Sequence, residues 1–504
     1  MRVGKSKYLI IIFVVNALGM IMELAASRIM SPFFGNYNSV WTAIIGIILL
    51  SGAVGNYIGG RLADKIDLEL LVTVSLAGAT LFSVLIPIIG DGVFLALKGY
   101  IPDLRVGAVI GATVEFFIPS MLIGMLTPVI MKIYADRGEA FGSSAGKFYA
   151  IVTAGGITGT FVGGFFLIPS LGSIRILYMI AAVFGVMTFF SAGKAASKVY
   201  SVLAAAMVVM SVFGFFRVGV SEARAAKLFD LDDSAQIDID THYGTVRIEN
   251  GVTVGGERIR TYSQSGAYSS ATFLDDEKKY ELVFKCLDYY NNVFRAGVPD
   301  DDVLMLGGAA YMYPKYFISH LDGAMDVVEI DGGATEIAKK YFFLDDLIEE
   351  FETEKNGRLN LITDDGRIFV DDTEKHYNAV FNDAFSGVYP PASLSTIEMC
   401  RLVKGVLKDG GVYALNVLGA ESGPKSQFLK AEVKTLQQVF GHVVVVRCED
   451  NISDPDNDFH NYMVYCSDFP LNVDGEIELD LSDAVVLTDD YAPVEAMADA
   501  WAAQ

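Results

Sequence analysis

Several residue types are scarce in this 504-residue sequence, and each scarcity excludes a class of protein. Only four cysteines are present and no two of them form a CxxC pair, so zinc is not predicted, and the sequence alone pairs none of them as disulfides. Lysine and arginine total 38 against 61 acidic residues, which gives a net charge of -23. Nucleic acid is therefore not a predicted partner, because phosphate backbones are bound through clustered basic residues.

Charged residues are also scarce between Tyr8 and about Val220, whereas the chain from Ala235 onward is acidic. Seven apolar stretches fill the first part, each near the roughly 20 residues that a membrane-spanning helix needs. They cover residues 8–30, 40–60, 70–90, 108–134, 148–170, 174–191 and 199–217. Small residues recur in them, as in SGAVGNYIGG, and permit close helix packing in lipid. Residues 1–220 are predicted to form a multi-pass bundle of about seven helices in the lipid bilayer of the cell membrane, and residues 221–236 a polar linker.

The basic residues of the first part lie near the ends of the apolar stretches, where the positive-inside rule places them in the cytoplasm. They are Arg2, Lys5, Lys7, Arg61, Lys65, Lys132, Arg137, Lys147, Lys194 and Lys198. Seven crossings would then place the C-terminal part outside. Basic residues after the last stretch (Arg217, Arg224, Lys227) favour the inside, and a nucleotide-like cosubstrate is available only there. We predict a cytoplasmic C-terminal domain, with one span miscounted or re-entrant.

Acidic and basic residues inside an apolar stretch are costly in lipid and are functional by default. Glu23 and Arg28 in the first stretch are predicted to form a polar pair, although a spacing of five residues places them on somewhat different helix faces. Glu115 in the fourth stretch is a second candidate of this kind. A ligand path for a cationic solute and a purely structural buried pair are both open interpretations.

The pattern changes after the linker. Two alternating runs, THYGTVRIENG and RIRTYSQSGAYSS, predict β-hairpins within residues 237–275. From residue 276 onward, helices alternate with seven apolar strands, which are VLMLGG, MDVVEID, LNLIT, NAVFND, GVYALNV, HVVVVRC and YMVYC. This alternation predicts a doubly wound α/β domain, Rossmann-like and of the methyltransferase type, over residues 276–504.

Glycines and acids follow the first two strands of this domain. Gly307 and Gly308 end the first strand, where their backbone can approach a ligand closely. Glu329 ends the second strand, 22 residues beyond Gly307, at the spacing of an acid that accepts hydrogen bonds from ribose hydroxyls. A complete GxGxxG is absent, because Ala309 and Ala310 follow the glycines, and this argues against a dinucleotide.

Acids also follow the third and fourth strands. Asp364, Asp365 and Gly366 end the third strand, where an acid can accept a hydrogen bond from the amine of adenine. Asp383 ends the fourth strand. Because ligands of open α/β sheets bind beyond the carboxyl ends of the strands, these residues and those of the first two strands are predicted to share one rim.

The order of a glycine turn, VEID, DDG and a strand ending in NDAFSG resembles the spermidine synthase (polyamine aminopropyltransferase) family over roughly residues 237–495. The pair Gln264-Ser265 resembles a Gln-Ser pair of that family. The apolar N-terminal part, with Glu23, Arg28 and GRLADK, resembles its membrane-fused branch. The resemblance implies a transferase of polyamine biosynthesis that uses decarboxylated S-adenosylmethionine and a small-molecule amine, needs no metal and forms a homodimer.

The resemblance also implies roles for individual residues. Gly307 and Gly308 resemble the turn under the cosubstrate, Glu329 the ribose acid, and Asp365 with Gly366 the adenine contact. Gln264 is predicted to contact the same cosubstrate. Asp383 resembles the catalytic acid that takes a proton from the attacking amine. Such a base is needed because an ammonium has no lone pair, whereas the sulfonium is already a good leaving group.

Departures from the family pattern lie where cationic amines would be held. Ala310 replaces an acid of GGGDG, Ser386 replaces the second acid after the fourth strand, and Tyr280-Glu281 lacks the usual histidine or glutamine. Tyr243-Gly244 stands where Tyr-Gln is common. Ordinary S-adenosylmethionine could therefore serve as donor. The alternatives are a methyltransferase of unknown acceptor and a non-catalytic membrane protein that binds a nucleoside or polyamine.

Residues near the C-terminus could supply the missing acid. LTDDYAPVE contains Asp489, Asp490 and Tyr491, which match a recurrent feature of the membrane-fused branch. They are predicted, together with Tyr280, to bind the substrate. The open alternative for the first three is a solvated turn before a final helix.

Overall fold

A computed structural model of the chain describes residues 2–34, 38–101, 104–135, 141–191, 197–228, 236–241, 243–264, 267–384, 390–448 and 460–498. The chain divides into two compact units, residues 1–228 and residues 229–504. Arg137, Lys194, Ser265 and Ser386, which were named above, lie outside the described residues.

The first unit is helical. Its helices are α1 Arg2–Phe34, α2 Asn38–Ala63, α3 Leu68–Tyr100, α4 Leu104–Ala135, α5 Phe141–Val162, α6 Ile168–Leu171, α7 Ser173–Ser191 and α8 Ser197–Leu228. A π-helical turn, Gly163–Leu167, joins α5 to α6. By length and composition, six of the described helices could cross a membrane, and their apolar segments agree with the first six predicted stretches. Glu23 and Arg28 both lie on α1, and their pairing stays a prediction.

Glycines bring these helices into close contact. Gly55 and Gly59 of α2 lie against the backbone of Met121 and Met125 of α4, so a Cβ at either glycine would collide with main-chain atoms. Gly155 of α5 approaches the backbone of α1 in the same way. Small residues that let helix backbones approach this closely are typical of helix–helix interfaces in membrane proteins.

The helix α8 contains the seventh predicted stretch. Its apolar part, Val202–Val218, is shorter than those of the six candidate spans. It runs antiparallel to α7, because Gly185 lies beside Val208 and Gly214 lies beside Tyr178. The helix continues to Leu228, so the first part of the predicted linker is helical.

The second unit begins with a four-stranded antiparallel sheet in the order β1-β2-β3-β4. Its strands are β1 Gln236–Asp240, β2 Thr245–Val252, β3 Arg258–Gln264 and β4 Ala267–Phe273. Alternating side chains bury one face, and a bulge between Tyr262 and Ser263 shifts the register of β3 against β4. Bulges of this kind re-aim side chains.

A seven-stranded mixed sheet follows, in the order β10-β11-β9-β8-β5-β6-β7. Its strands are β5 Asp302–Leu306, β6 Ala324–Glu329, β7 Leu359–Thr363, β8 Tyr377–Asn382, β9 Leu407–Gly419, β10 His442–Arg447 and β11 His460–Ser467. All seven predicted strands are present. The pairs from β7 to β9 are parallel, whereas β11 runs antiparallel to both β9 and β10. The prediction of a Rossmann-like, methyltransferase-type domain is confirmed.

Helices cover both faces of this sheet, which is why its central strands are apolar on both sides. They are α9 Asn291–Arg295, α10 Met312–His320, α11 Gly332–Tyr341, α12 Leu344–Glu350, α13 Thr353–Asn356, α14 Gly366–Asp372, α15 Ile397–Val406, α16 Gln427–Leu436 and α17 Val494–Ala498. Val303 and Met305 of β5 pack with α10 and α12 in one core, while Leu304 and Leu306 are buried on the other face.

Two buried basic side chains join the four-stranded sheet to the larger domain at the C-terminal end of α11. The amine of Lys315 donates to the carbonyl of Phe342 at 2.6 Å and to Thr272 of β4 at 3.1 Å. Arg260 of β3 donates to the carbonyl of Tyr341 at 2.9 Å. Hydrogen-bond donors are favoured there because the last carbonyls of a helix have no partner within the helix. These contacts hold β3 and β4 against the domain.

Candidate nucleoside and amine site

Backbone hydrogen bonds align the carboxyl ends of four parallel strands. The amide of Asp383, after β8, donates to the carbonyl of Leu306 at 3.0 Å. The amide of Gly307, after β5, donates to Val328 of β6 at 2.9 Å, and the amide of Asp364, after β7, donates to Glu329 at 3.2 Å. The structure therefore brings together the four strand ends that carry the predicted glycine turn and acids. Here the strand order also reverses around β5, which is where open α/β sheets bind ligands.

The glycine turn after β5 has a backbone that needs glycine at its first position. Gly307 has a φ of +94°, and a Cβ there would lie 2.7 Å from the carbonyl oxygen of Asp383. Ala309 and Tyr311 also have positive φ, +46° and +56°, which is uncommon for residues with a side chain. The turn thus keeps a tight left-handed path where the related motif has glycines.

Glu329 is buried behind this turn and accepts three backbone hydrogen bonds. Its Oε2 accepts from the amides of Gly308 at 2.8 Å and Ala309 at 3.0 Å, and its Oε1 accepts from Asp331 at 2.9 Å. Burial raises the pKa of Glu329, and the three amides act in the opposite direction. The carboxylate therefore holds the glycine turn in shape and keeps one lone pair for a ligand, since a carboxylate has about four acceptor positions.

Asp365 caps the helix that follows β7. Its Oδ1 accepts from the amides of Arg367 at 2.8 Å and Ile368 at 3.3 Å, which satisfies two of the free amides at the start of α14. Its Oδ2 accepts no hydrogen bond from the described residues and is available to an adenine amine. Gly366, the next residue, has room for a side chain, since a Cβ there would make only ordinary contact with Leu306 of β5.

Asp383 lies after β8 with one oxygen held in place. Asn416 of β9 donates from Nδ2 to its Oδ1 at 2.9 Å. Burial raises the pKa of Asp383 to about 6, and the hydrogen bond from Asn416 opposes that rise. A carboxylate with this pKa is ionised at neutral pH yet is a stronger base than an exposed aspartate, which suits proton abstraction. The amide oxygen Oδ1 of Asn416 is buried and accepts no hydrogen bond from the described residues.

Sequence reasoning missed several residues around this rim. Asn416 is one, and Tyr290 is another, because its hydroxyl donates to the carbonyl of Asn382 at 2.9 Å, next to Asp383. Tyr243 was noted only as part of a departure from the family pattern. Burial and the carboxylates of Asp331, Asp365, Glu329 and Asp364 raise its pKa, so it lies near the acids that follow β6 and β7. An Asn within an apolar strand, or a Tyr in the short helical turn before α9, carries no sequence signal for such a position.

The other predicted site residues have different surroundings. The hydroxyl of Tyr280 donates to Glu350 of α12 at 2.9 Å. Gln264 is partly buried at the end of β3 and pairs with Val246 and Ala267. Neither has a described contact with the rim acids, so their roles stay predictions.

Asp489 is engaged by other protein groups. Its two oxygens accept from Arg367 at 2.7 and 2.6 Å, and Oδ1 also accepts from Thr396 at 2.8 Å. Arg367 lowers the pKa of Asp489. This arrangement attaches the C-terminal turn to α14, two residues from Asp365, while Asp490 and Tyr491 are exposed. Binding of substrate by these three residues stays a prediction.

No group of three or more His, Cys, Asp or Glu side chains that could hold a metal ion occurs in the described part of the chain. The strand order, with its parallel centre and antiparallel edge, and the acids beyond the strand ends define the class, a Rossmann-like domain of the methyltransferase type. Within that class, residues 298–448 match the model of the spermine/spermidine synthase domain. The resemblance to the spermidine synthase family that the motifs predicted is therefore confirmed over these residues. The likeness to a membrane-fused branch stays a prediction.

Individual relatives match only part of their own length. A polyamine aminopropyltransferase of Vibrio vulnificus is 30% identical over 148 residues, which are 28% of this chain and 42% of that protein. An N-terminal histidine N-methyltransferase of Emericella nidulans is 28% identical over 34% of this chain and 29% of its own. The solved structure of a probable spermidine synthase from Corynebacterium glutamicum covers 47% of this chain and 81% of its own, at 20% identity and a TM-score of 0.39. The chain thus spans less than half the length of the polyamine aminopropyltransferase and of the histidine N-methyltransferase.

Proposed function

We propose that this protein transfers an aminopropyl group from decarboxylated S-adenosylmethionine to an amine of a polyamine. The observation that carries this proposal is Asp383, a carboxylate with a pKa of about 6 that lies beside the glycine turn and is held by Asn416. The match of residues 298–448 to the spermine/spermidine synthase domain supports the same reaction.

The reaction requires one proton transfer and one displacement. The neutral amine attacks the carbon next to the sulfonium, so that a C–N bond forms while the C–S bond breaks. The electron pair of the C–S bond goes to sulfur, which leaves as the neutral thioether 5′-methylthioadenosine. Asp383 accepts the proton that the amine loses. The contribution of the protein is to place the nitrogen in line with the carbon and to supply this base.

The nucleoside half of the donor is assigned to the ends of β5, β6 and β7. Gly307 and Gly308 let the backbone pass close beneath it, Glu329 offers its remaining lone pair to the ribose, and the free oxygen of Asp365 faces the adenine amine. The carboxylates around this half also favour a donor with a positive sulfonium, because opposite charges attract strongly at a partly desolvated site.

A second candidate function rests on one residue of the glycine turn. Ala310 is fully buried where the family has an acid for the aminopropyl ammonium. Without that acid, ordinary S-adenosylmethionine could bind and donate its methyl group to an acceptor. Calorimetry with both donors separates the two functions, since tighter binding of ordinary S-adenosylmethionine would favour methyl transfer.

We further propose that the helical unit crosses the cell membrane and that the transferase domain faces the cytoplasm. Six crossings, by α1, α2, α3, α4, α5 and α7, would place the basic ends of the apolar stretches and the transferase domain on the same side of the membrane. The positive-inside rule requires this arrangement. A seventh crossing by α8 would place the domain outside. Fusion of alkaline phosphatase or a fluorescent protein to the C-terminus distinguishes the two arrangements.

The test is production of spermidine from putrescine and decarboxylated S-adenosylmethionine by the full-length protein in detergent. Asp383→Asn should lower kcat at least a hundredfold, because general-base catalysis contributes about 10²–10⁴. Asp409→Asn, which alters an exposed aspartate near the start of β9, is the matched control and should leave activity unchanged. Equal product from wild type and Asp383→Asn would contradict the proposal.

A further inference from the structure

The helix α2 carries an asparagine on a face that its own chain leaves uncovered. Asn56 is exposed and makes no hydrogen bond within the part of the chain that the structure describes. The candidate membrane spans contain one other asparagine, Asn16 of α1, whose Nδ2 donates to the carbonyl of Ile12 at 2.8 Å. The amide of Asn16 is therefore bonded within its own helix, whereas the amide of Asn56 is left open.

Asn56 lies well inside the apolar span of α2. That span covers Val40–Ala63, and at a rise of 1.5 Å per residue Asn56 lies about 7 Å from its middle. The hydrocarbon core of a bilayer is about 30 Å thick, so this position is within the hydrocarbon when the helix crosses a membrane. Lipid tails offer no hydrogen-bond partner, and an open amide there is strongly unfavourable. The position therefore calls for a polar partner on a neighbouring helix.

The residues around Asn56 form a continuous exposed stripe along α2. Thr42, Gly46, Leu49, Ala53 and Asn56 follow one another at alternating intervals of four and three residues, and all five are exposed. This is a heptad spacing, which keeps one face of a helix against a parallel partner over several turns. A Cβ at Gly46 would meet no atom within 4 Å. With a second small residue at Ala53, the stripe allows another helix to approach closely.

The other face of α2 is already occupied within the chain. Gly55 and Gly59 on that face lie against the backbone of α4, which is the main neighbour of α2. Leu49, at the centre of the stripe, is 67% exposed, so the described helices of the same chain leave the stripe uncovered. A partner for Asn56 must therefore come from outside the chain.

The chemistry of Asn56 favours a second copy of this chain as that partner. Copies inserted in the same orientation are related by a twofold axis along the membrane normal, so their α2 helices run parallel and a residue near the axis faces its own counterpart. Such a residue has to be self-complementary. An amide is, because it carries both a donor and an acceptor, whereas two like charges repel each other. A single Asn in an apolar seam also fixes the register and the number of helices.

We propose that α2 forms a parallel homodimer contact within the membrane, in which Asn56 of each copy is hydrogen-bonded to Asn56 of the other and the helices approach most closely at Gly46 and Ala53. This inference rests on the proposed crossing of the membrane by the helical unit. It is independent of the proposed transferase reaction.

Cysteine crosslinking in native membranes locates the contact. Ala53→Cys places a thiol in the stripe, and Ile157→Cys is its matched control, because Ile157 of α5 is 53% exposed on a different helix. The four native cysteines are buried in the second unit, so the wild type reports the background. A mild oxidant should convert most of Ala53→Cys into a covalent dimer of twice the chain mass and should leave Ile157→Cys and wild type monomeric.

Asn56→Leu tests the amide pair. Because Asn56 has no hydrogen-bond partner within the described chain, the monomer should still fold, and self-association should weaken about tenfold through the loss of two interhelical hydrogen bonds. Asn16→Leu is the matched control and should associate as the wild type does, while Asn56→Gln, which keeps an amide, should retain the association. The dissociation constant is measured by energy transfer between labelled full-length copies while the vesicles are diluted with lipid.

Equal crosslinking of Ala53→Cys and Ile157→Cys, or none with either, would overturn the inference and leave the stripe facing lipid. A crosslinked product of another mass would mean that a different protein covers the stripe, and an unchanged dissociation constant in Asn56→Leu would refute the amide pair. Release of the protein from membranes by alkaline carbonate would contradict the membrane crossing and the inference together. A carbonate-resistant protein that crosslinks at Ala53→Cys but forms no spermidine would retain the inference and overturn the proposed reaction.

Discussion

The hydrogen bond from Asn416 to Asp383 can be tested through the pH dependence of the reaction. Asn416→Leu removes the donor and keeps a side chain of similar size. The amide oxygen of Asn416 has no partner among the described residues, so the only protein hydrogen bond known to be lost is the one to Asp383. The fold should therefore tolerate the change, and the substitution should mainly alter the pKa of the Asp383 carboxyl.

The direction of the effect follows from the charge. The hydrogen bond stabilises the ionised form of Asp383, whose pKa burial has already raised to about 6. Hydrogen bonds to charged groups are worth about 1.5–3 kcal/mol, and about 1.4 kcal/mol corresponds to one pKa unit. Asp383 is half-buried, so we take the lower end of that range, and the variant should raise the pKa of Asp383 by about one unit. The base would then be about half protonated near pH 7.

The measurement is kcat/KM from pH 5 to pH 9, since this parameter reports the pKa values of the free enzyme. We expect the acidic limb to move up by about one unit in Asn416→Leu, with activity recovered at pH 9. Asn360→Leu is the matched control, because Asn360 donates to Asp326 at 2.7 Å in the same domain. An unshifted limb in Asn416→Leu, or a uniform loss of activity at every pH, would refute the assignment of Asn416 as a positioning residue.

Three further predictions concern stability. Each is checked by the melting temperature followed with a thiol-reactive dye, which reports on the second unit because the four buried cysteines all lie there. Gly307→Ala should destabilise the second unit by about 2 kcal/mol or more, since a Cβ would lie 2.7 Å from a backbone oxygen at φ +94°. Gly410→Ala, at φ +78° with no atom within 4 Å, should cost less, and equal losses would contradict the steric argument. Lys315 has a pKa lowered to about 7 by burial, so the unfolded chain binds its proton more tightly and stability should rise from pH 7 to pH 9. Lys315→Met should flatten that rise, and an unchanged slope would exclude Lys315 as its source. Asp489→Asn and Arg367→Gln should each cost about 1 kcal/mol and should not add in the double variant; additive losses would mean that the ion pair contributes nothing.

The sequence alone was sufficient to predict the strands of the large sheet and the residues that follow their carboxyl ends. Apolar runs of five to seven residues, separated by helical segments, identify every strand of a doubly wound sheet. Because parallel strands end at the same edge, the residues that follow them must meet, and the motifs there carry the family resemblance. The sequence therefore predicts that one edge of the sheet carries Gly307, Glu329, Asp365 and Asp383.

Which polar atoms already have hydrogen-bond partners within the protein depended on the tertiary structure. Glu329 was predicted as a ribose acid, yet three backbone amides from the turn and from Asp331 fill most of its capacity. Asp489 was predicted to bind substrate, yet Arg367 and Thr396, distant in sequence, engage it. Hydrogen-bond partners are set by the direction of side chains and by the crossing of distant segments, and neither follows from periodicity.

The secondary-structure elements could be predicted and the hydrogen-bond partners could not, for one physical reason. Strand and helix periodicity is local, because it reflects which side chains of a segment point to a core, and a sequence displays it directly. Asn416 comes from a segment far in sequence from Asp383, and its amide reaches that carboxylate only because β9 lies next to β8. The sequence by itself determined the elements of the C-terminal domain and its resemblance to the spermidine synthase family, and the tertiary structure alone decided which buried polar groups have partners within the protein.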